Sequence, residues 1–168
     1  MKNVSTEGLI RDVLPEDAGQ ICKIYNHYVS HTIITFEEEP VTEIEIKQRI
    51  EKTILKFPWI IYANQGEILG YAYASEWKSR SAYKHSVEST VYLKKGYENH
   101  GIGSILYDKL IQKLRGTNIH AVIGGIALPN ATSVALHEKF GFEKIGQFNE
   151  VGYKFNQWID VGYWELIF

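Results

Sequence analysis

The stretch 97–110, "YENHGIGSILYDKL", sets Gly101 and Gly103 at the start of an amphipathic run. Glycine inside a helix is less favourable than alanine by about 1 kcal/mol, so two of them at a helix start need a physical reason. One reason is packing, with either glycine letting a strand approach the helix. The other is an anion: a bare backbone at a helix N-terminus aims N–H groups outward, and the macrodipole favours negative charge there. Both readings stay open on these residues alone. The run continues as Ile102, Ile105, Leu106, Leu110 and Leu114 ahead of Gly116, which is helical spacing with a stop. The segment before it, "HSVESTVYL" (85–93), alternates as a strand, with Val87, Val91 and Leu93 expected on one face and Glu88, Thr90 and Tyr92 on the other. Strand, glycine loop, helix is the context an anion site requires. No Gly-Lys-Ser/Thr follows, so it is not a Walker loop. A dinucleotide fingerprint would need glycine at Leu106 and is also excluded.

Working outward, "GLIRDVL" (8–14) reads as an opening strand, and from Pro15 a helical face carries Ala18, Ile21, Ile24, Tyr25 and Tyr28. Thr42 and Glu45 have capping-box spacing ahead of a stripe of Ile46, Ile50 and Ile54. "WIIYAN", "QGE" and "ILGYAYASEW" form a hairpin pattern. Past the glycine helix, "AVIGGIAL" (121–128) is a strand, and "PNATSVALHEKFGF" is a short helix capped by Asn130 and stopped at Gly141. The tail is strand-rich and aromatic. This order predicts an α/β (α+β) fold: a mixed central sheet with helices on both faces, in one domain over residues 1–168.

The composition narrows the function classes. A net charge of −2 without a run of Lys or Arg gives no footing for nucleic acid or an anionic membrane. No apolar run approaches the ~20 residues that span a bilayer, and the first residues lack the apolar core of a signal peptide, so a cytoplasmic protein is expected. Cys22 is the only cysteine, which excludes an internal disulfide and a cysteine metal cluster; no metal is expected.

Glu88 lies on the polar face of the strand that feeds the glycine loop, as a solvated carboxylate or a base. His137 lies on the helix after the next strand, as a packed or a reactive imidazole. Taken together, the order strand, glycine loop, helix, strand, Asn-capped helix resembles the GNAT superfamily of acetyl-coenzyme A-dependent N-acetyltransferases. Its Gln/Arg-x-x-Gly-x-Gly/Ala signature maps onto "ENHGIG", Glu98 to Gly103. Glu98 departs from that signature and is expected to turn away from the phosphates. The stretches from Phe57 to Leu93, "LPNATSVALHEKFGF" and "VGYKFNQWIDVGYWEL" resemble the phosphinothricin and methionine sulfoximine N-acetyltransferase subfamily, across nearly the whole chain. That group has histidine, as at His137, where most of the superfamily has tyrosine.

The resemblance implies acetyl-CoA as co-substrate. Its pyrophosphate would rest on the backbone of Asn99, His100, Gly101, Ile102, Gly103 and Ser104, and its pantetheine along Val91, Tyr92 and Leu93. Asn130 and Ser133 would complete the cofactor contacts. Glu88 and His137 are the implied catalytic pair, Glu88 taking the amine proton and His137 serving as acid or base. The loop "WKSRSAY" is either a solvated loop or, by resemblance, the source of Lys78, Arg80 and Tyr83, which with Phe36 and Tyr92 surround an amino-acid substrate. Lys154 is a weaker candidate for the same task. The aromatic tail is core or, as the resemblance implies, the interface of a homodimer. Two rival functions are a non-catalytic acyl-CoA-binding module and an acetyltransferase for a polyamine or a protein N-terminus. A polyamine site should be acidic, and this loop is basic.

Overall fold

The computed structural model describes residues 8–168; the seven residues before them, part of the segment read as lacking a signal peptide, lie outside the described residues. Among the described residues, seven strands in parallel and antiparallel pairings and four helices make the class mixed α/β. The chain divides into two compact units, and the strand after the hairpin contributes to each.

In the first unit, β1 (Leu9–Asp12) pairs antiparallel with β2 (Trp59–Asn64), and β2 with β3 (Glu67–Glu76). The next strand is β4 (Ser86–Leu93), whose half from Thr90 onward belongs here. A 3₁₀ turn at Pro15–Asp17 precedes α1 (Ala18–His31), because Arg11 and the Leu14 N–H both hold the Asp17 carboxylate at 2.7 Å. The expected face of α1 is buried at Ala18, Ile21, Ile24 and Tyr25. At α2 (Glu43–Ile54) the capping box is present: Thr42 Oγ1 accepts the Glu45 N–H, and Glu45 accepts the Thr42 N–H. Ile46 and Ile50 are buried but Ile54 is exposed, because the four-residue spacing drifts around a 3.6-residue helix. The same geometry corrects α3 (Ile102–Arg115). Ile105 falls opposite the buried arc of Ile102, Leu106, Tyr107 and Leu110, and is exposed.

The second unit holds the start of β4, paired parallel with β5 (Ala121–Leu128) from Ser86 to Glu88. β7 (Gln157–Ile167) pairs antiparallel with β5 and with β6 (Glu143–Lys154). α4 (Ala131–Lys139) begins at Asn130, whose side-chain oxygen accepts the Ser133 N–H at 3.1 Å, and ends before Gly141 at φ 84°. One strand expectation fails. Val87 and Ser89 are buried, but the next buried residue is Tyr92, and Val91 and Leu93 are only half-buried. The alternation slips by one residue after Thr90, which exchanges the faces of everything beyond it. In the tail, Trp164 is core at 2% exposure whereas Trp158 is 62% exposed.

Candidate active site

β5 carries two consecutive glycines, and consecutive strand residues face opposite sides of a sheet. Gly124 faces α4: a Cβ there would meet His137 Nε2 at 2.4 Å. Its cross-strand partner Trp164 donates Nε1–H to Glu138 on the same helix. His137 is 4% exposed, its Nδ1–H donates to the Ser133 carbonyl at 2.7 Å, and its ring meets Phe142 edge-on. Burial pulls its pKa below the ordinary 6.5, against the hydrogen bond to Ser133, so the imidazole is neutral.

Gly125 faces the other way and is the exposed interior residue of β5. A Cβ there would lie 3.1 Å from Glu88 Oε1 and 3.3 Å from the ring of Tyr163, its cross-strand partner on β7. Burial raises the Glu88 pKa, and the charge of Lys78 acts in the opposite sense. The result is a half-buried carboxyl with increased proton affinity beside open backbone, which suits it to take a proton from an amine. Glu88 and His137 thus lie on opposite sides of β5, and the structure does not bring the two expected catalytic residues together.

Around Glu88 stand Lys78, whose Nζ is 5.1 Å from the Trp77 ring, and Trp77, which meets Tyr163 edge-on. Arg80 and Tyr83 are exposed at either end of a short 3₁₀ turn, where the Tyr83 N–H bonds the Arg80 carbonyl. Phe36 is 41% exposed, and a Cβ on Gly152 would strike its ring. Lys154 is not offered to solvent. At 2% exposure its Nζ donates to the Thr35 carbonyl at 2.8 Å, and burial lowers its pKa. It tethers the segment that carries Phe36. Sequence reasoning missed Trp77, Gly125 and Tyr163; the available signal was a glycine pair inside a strand pattern.

In the first unit, the glycine loop has left-handed backbone at Gly96, Asn99 and Gly101. Beyond its own chain neighbours, no heavy atom lies within 4 Å of a Cβ built on Gly101, so strand packing does not explain that glycine; its φ of +81° and an open approach do. Glu98 accepts the Gly96 N–H at 2.7 Å and its carbonyl accepts from His100 Nδ1, which keeps the carboxylate engaged within its own loop. The loop runs into α3, where Ile102 and Gly103 begin the helix and Ser104 follows. Tyr92 points inward, edge-on to Tyr25 at 5.3 Å and tilted against Tyr71 at 5.6 Å, so what β4 presents there is the neighbouring Val91 and Leu93. Among the described residues, no cluster of His, Cys, Asp or Glu could hold a metal ion, and no helix is long and apolar enough to cross a membrane.

The acetyltransferase (GNAT) domain family matches residues 10–162. The chain belongs to that family. This acetyltransferase is 39% identical to phosphinothricin N-acetyltransferase of Streptomyces coelicolor, over 96% of each chain. It is 31% identical to the L-methionine sulfoximine/L-methionine sulfone acetyltransferase of Salmonella typhimurium, over 89% of this chain and 88% of the other. The structure of a GNAT phosphinothricin acetyltransferase from Sinorhizobium meliloti, solved in complex with acetyl-CoA, superposes with a TM-score of 0.92 at 30% identity. That match covers 95% of this chain and 88% of the other.

Proposed function

We propose that this acetyltransferase moves the acetyl group of acetyl-CoA to the α-amino group of a small amino acid or analogue such as phosphinothricin, methionine sulfoximine or methionine sulfone. The observation that carries the reading is the half-buried Glu88 carboxyl beside the exposed backbone of Gly125, with Lys78 acting on it. A substrate amine arrives as ammonium, and Glu88, with its raised proton affinity, accepts the proton directly or through one water. Lys78 and Arg80 hold the substrate carboxylate and the oxygens of its side chain, and Tyr83 and Phe36 bound the site.

The glycine loop fits the pyrophosphate of acetyl-CoA. The open φ-positive Gly101 lets a ligand reach the backbone, and the first turn of a 14-residue helix presents N–H groups and a positive dipole end. Bound acetyl-CoA supplies the acetyl group as an activated thioester. Asn99 to Ser104 hold the phosphates through main chain, Val91 and Leu93 hold the pantetheine amides as an added strand would, and Asn130 and Ser133 add contacts from α4. His137, neutral and across β5 from Glu88, holds α4 in place. The two compact units act as one domain, since the family match runs through both. The working form is a cytoplasmic homodimer, formed through apolar side chains of β6 and β7. Phe148, Tyr153, Phe155 and Trp158 are each more than half exposed there. A non-catalytic module would have no use for a carboxyl desolvated in this way.

Glu88→Gln tests the reading. It keeps shape and removes the proton acceptor, so kcat should fall by about 10²–10⁴, while acetyl-CoA affinity stays unchanged by calorimetric titration. Burial makes the charged form of Glu88 unfavourable, so stability is present below the ordinary carboxyl pKa and is lost as pH rises through the raised one. The variant should therefore melt no lower than wild type at neutral pH. A near-wild-type rate would remove Glu88 from the chemistry.

A further inference from the structure

One ring beside Glu88 has no part in the reaction as described. Tyr163 is paired with Gly125 across the β5–β7 ladder, so its side chain stands on the face where Glu88 lies. The ring is braced edge-on by Trp77 from one side and by Phe148 of β6 from another, each at 5.7 Å. Because residue 125 has no side chain, carboxylate and phenol ring border the same hollow; a Cβ there would touch both. Tyr163 is itself half-buried, and its pKa is raised by burial and then by the charge of Glu88, so the phenol is neutral and senses the carboxylate. Among the described residues, the titratable groups on the face of Glu88 are Lys78, next to Trp77, and Tyr163 and Glu165 of β7; β5 places Gly125 and Ile123 there, Ile123 pairing with both Glu88 and Glu165.

We propose that Tyr163 is a positioning residue for Glu88, its braced ring walling the carboxylate from water above Gly125 and fixing the direction in which it meets the substrate amine. The proposal rests on Glu88 as the base. Its action is through the ring rather than the hydroxyl, since the Tyr163 atoms that border the hollow at Gly125 are the ring carbons Cε1 and Cδ1. A carboxyl so walled holds its proton more tightly than one in water.

The test compares wild type with Tyr163→Phe and Tyr163→Ala, adding Tyr163→Leu in case the alanine variant does not fold. Glu88 is titrated in the free enzyme by carboxyl ¹³C NMR, its signal identified by its absence in Glu88→Gln. The pH dependence of kcat/KM and the KM of both substrates are measured alongside. In Tyr163→Ala or Tyr163→Leu the Glu88 midpoint should fall by about one pH unit toward the ordinary carboxyl value, and the rising limb of kcat/KM should move with it. The amino-acid KM should rise while that of acetyl-CoA stays put, and Tyr163→Phe should match wild type. An unmoved midpoint in a folded variant overturns the proposal, as does a Tyr163→Phe shift as large as that of the alanine variant. Should the wild-type limb not follow the NMR midpoint, Glu88 loses the role of base, whereas the titration still decides whether Tyr163 sets its surroundings.

Discussion

Gly124 and Gly125 empty the two faces of β5 for different purposes. The hollow at Gly124 is filled by His137, and the one at Gly125 lies open between Glu88 and Tyr163. The glycine pair was visible in the sequence, but not what approaches it, because strand pairing brings Glu88 and Tyr163 to Gly125, and the packing of α4 brings His137 to Gly124. His137, expected as an acid or base, is a buried ring whose pKa burial lowers. That gives a pH signature. Its folded pKa is below the ordinary 6.5, so the unfolded chain takes up a proton first as pH falls. Its contribution to stability is complete above about pH 6.5 and is lost as pH falls through the lower folded value. Thermal melts from about pH 8 to about pH 5 should therefore show an acid limb that His137→Gln flattens, with a lower melting temperature throughout from lost packing. Parallel curves for the two proteins would mean that His137 is not held neutral by burial.

At the scale of elements, the loop 94–101 and α3 give the clearest answer to why glycine stands where it does. Gly101 has φ +81° and, beyond its own chain neighbours, nothing within 4 Å of its Cβ position. Gly101→Ala should therefore cost about 1–2 kcal/mol of backbone strain and leave the fold intact. It should also weaken acetyl-CoA binding by about tenfold, since a methyl would hold the phosphates off the main chain. Calorimetric titration against the melting temperature separates the two effects, and undiminished affinity in the folded variant would leave the backbone conformation alone to explain the glycine. The elements legible in the sequence are those fixed by local chemistry: the Thr42–Glu45 box, the Asn130 cap, the Gln65–Gly66 hairpin turn and, Ile105 apart, the stripe of α3. The slip in β4 was not legible. Tyr92 turns in because Tyr25 and Tyr71 are there to receive it, a tertiary preference that overrides the period of two. Lys154 is similar, since its burial is decided by the Thr35 carbonyl.

For the molecule as a whole, the family match covers both compact units, and β4 supplies residues to each. Glu88, Val91 and Leu93 follow one another along that strand. The basic loop of Lys78 and Arg80 distinguishes the amino-acid reading from one for polyamines, which acidic groups would attract. The most direct test is thiol release by the purified chain with acetyl-CoA and a panel of acceptors. The panel comprises phosphinothricin, methionine sulfoximine, methionine sulfone, unmodified amino acids, a polyamine and a peptide with a free N-terminus. Amino acids whose side chains end in phosphinate, sulfoximine or sulfone oxygens should show the highest kcat/KM, exceeding the polyamine at least about tenfold, which is 1.4 kcal/mol of discrimination. A polyamine or peptide acetylated in preference to every amino acid, or no thiol released with any acceptor, would contradict the account.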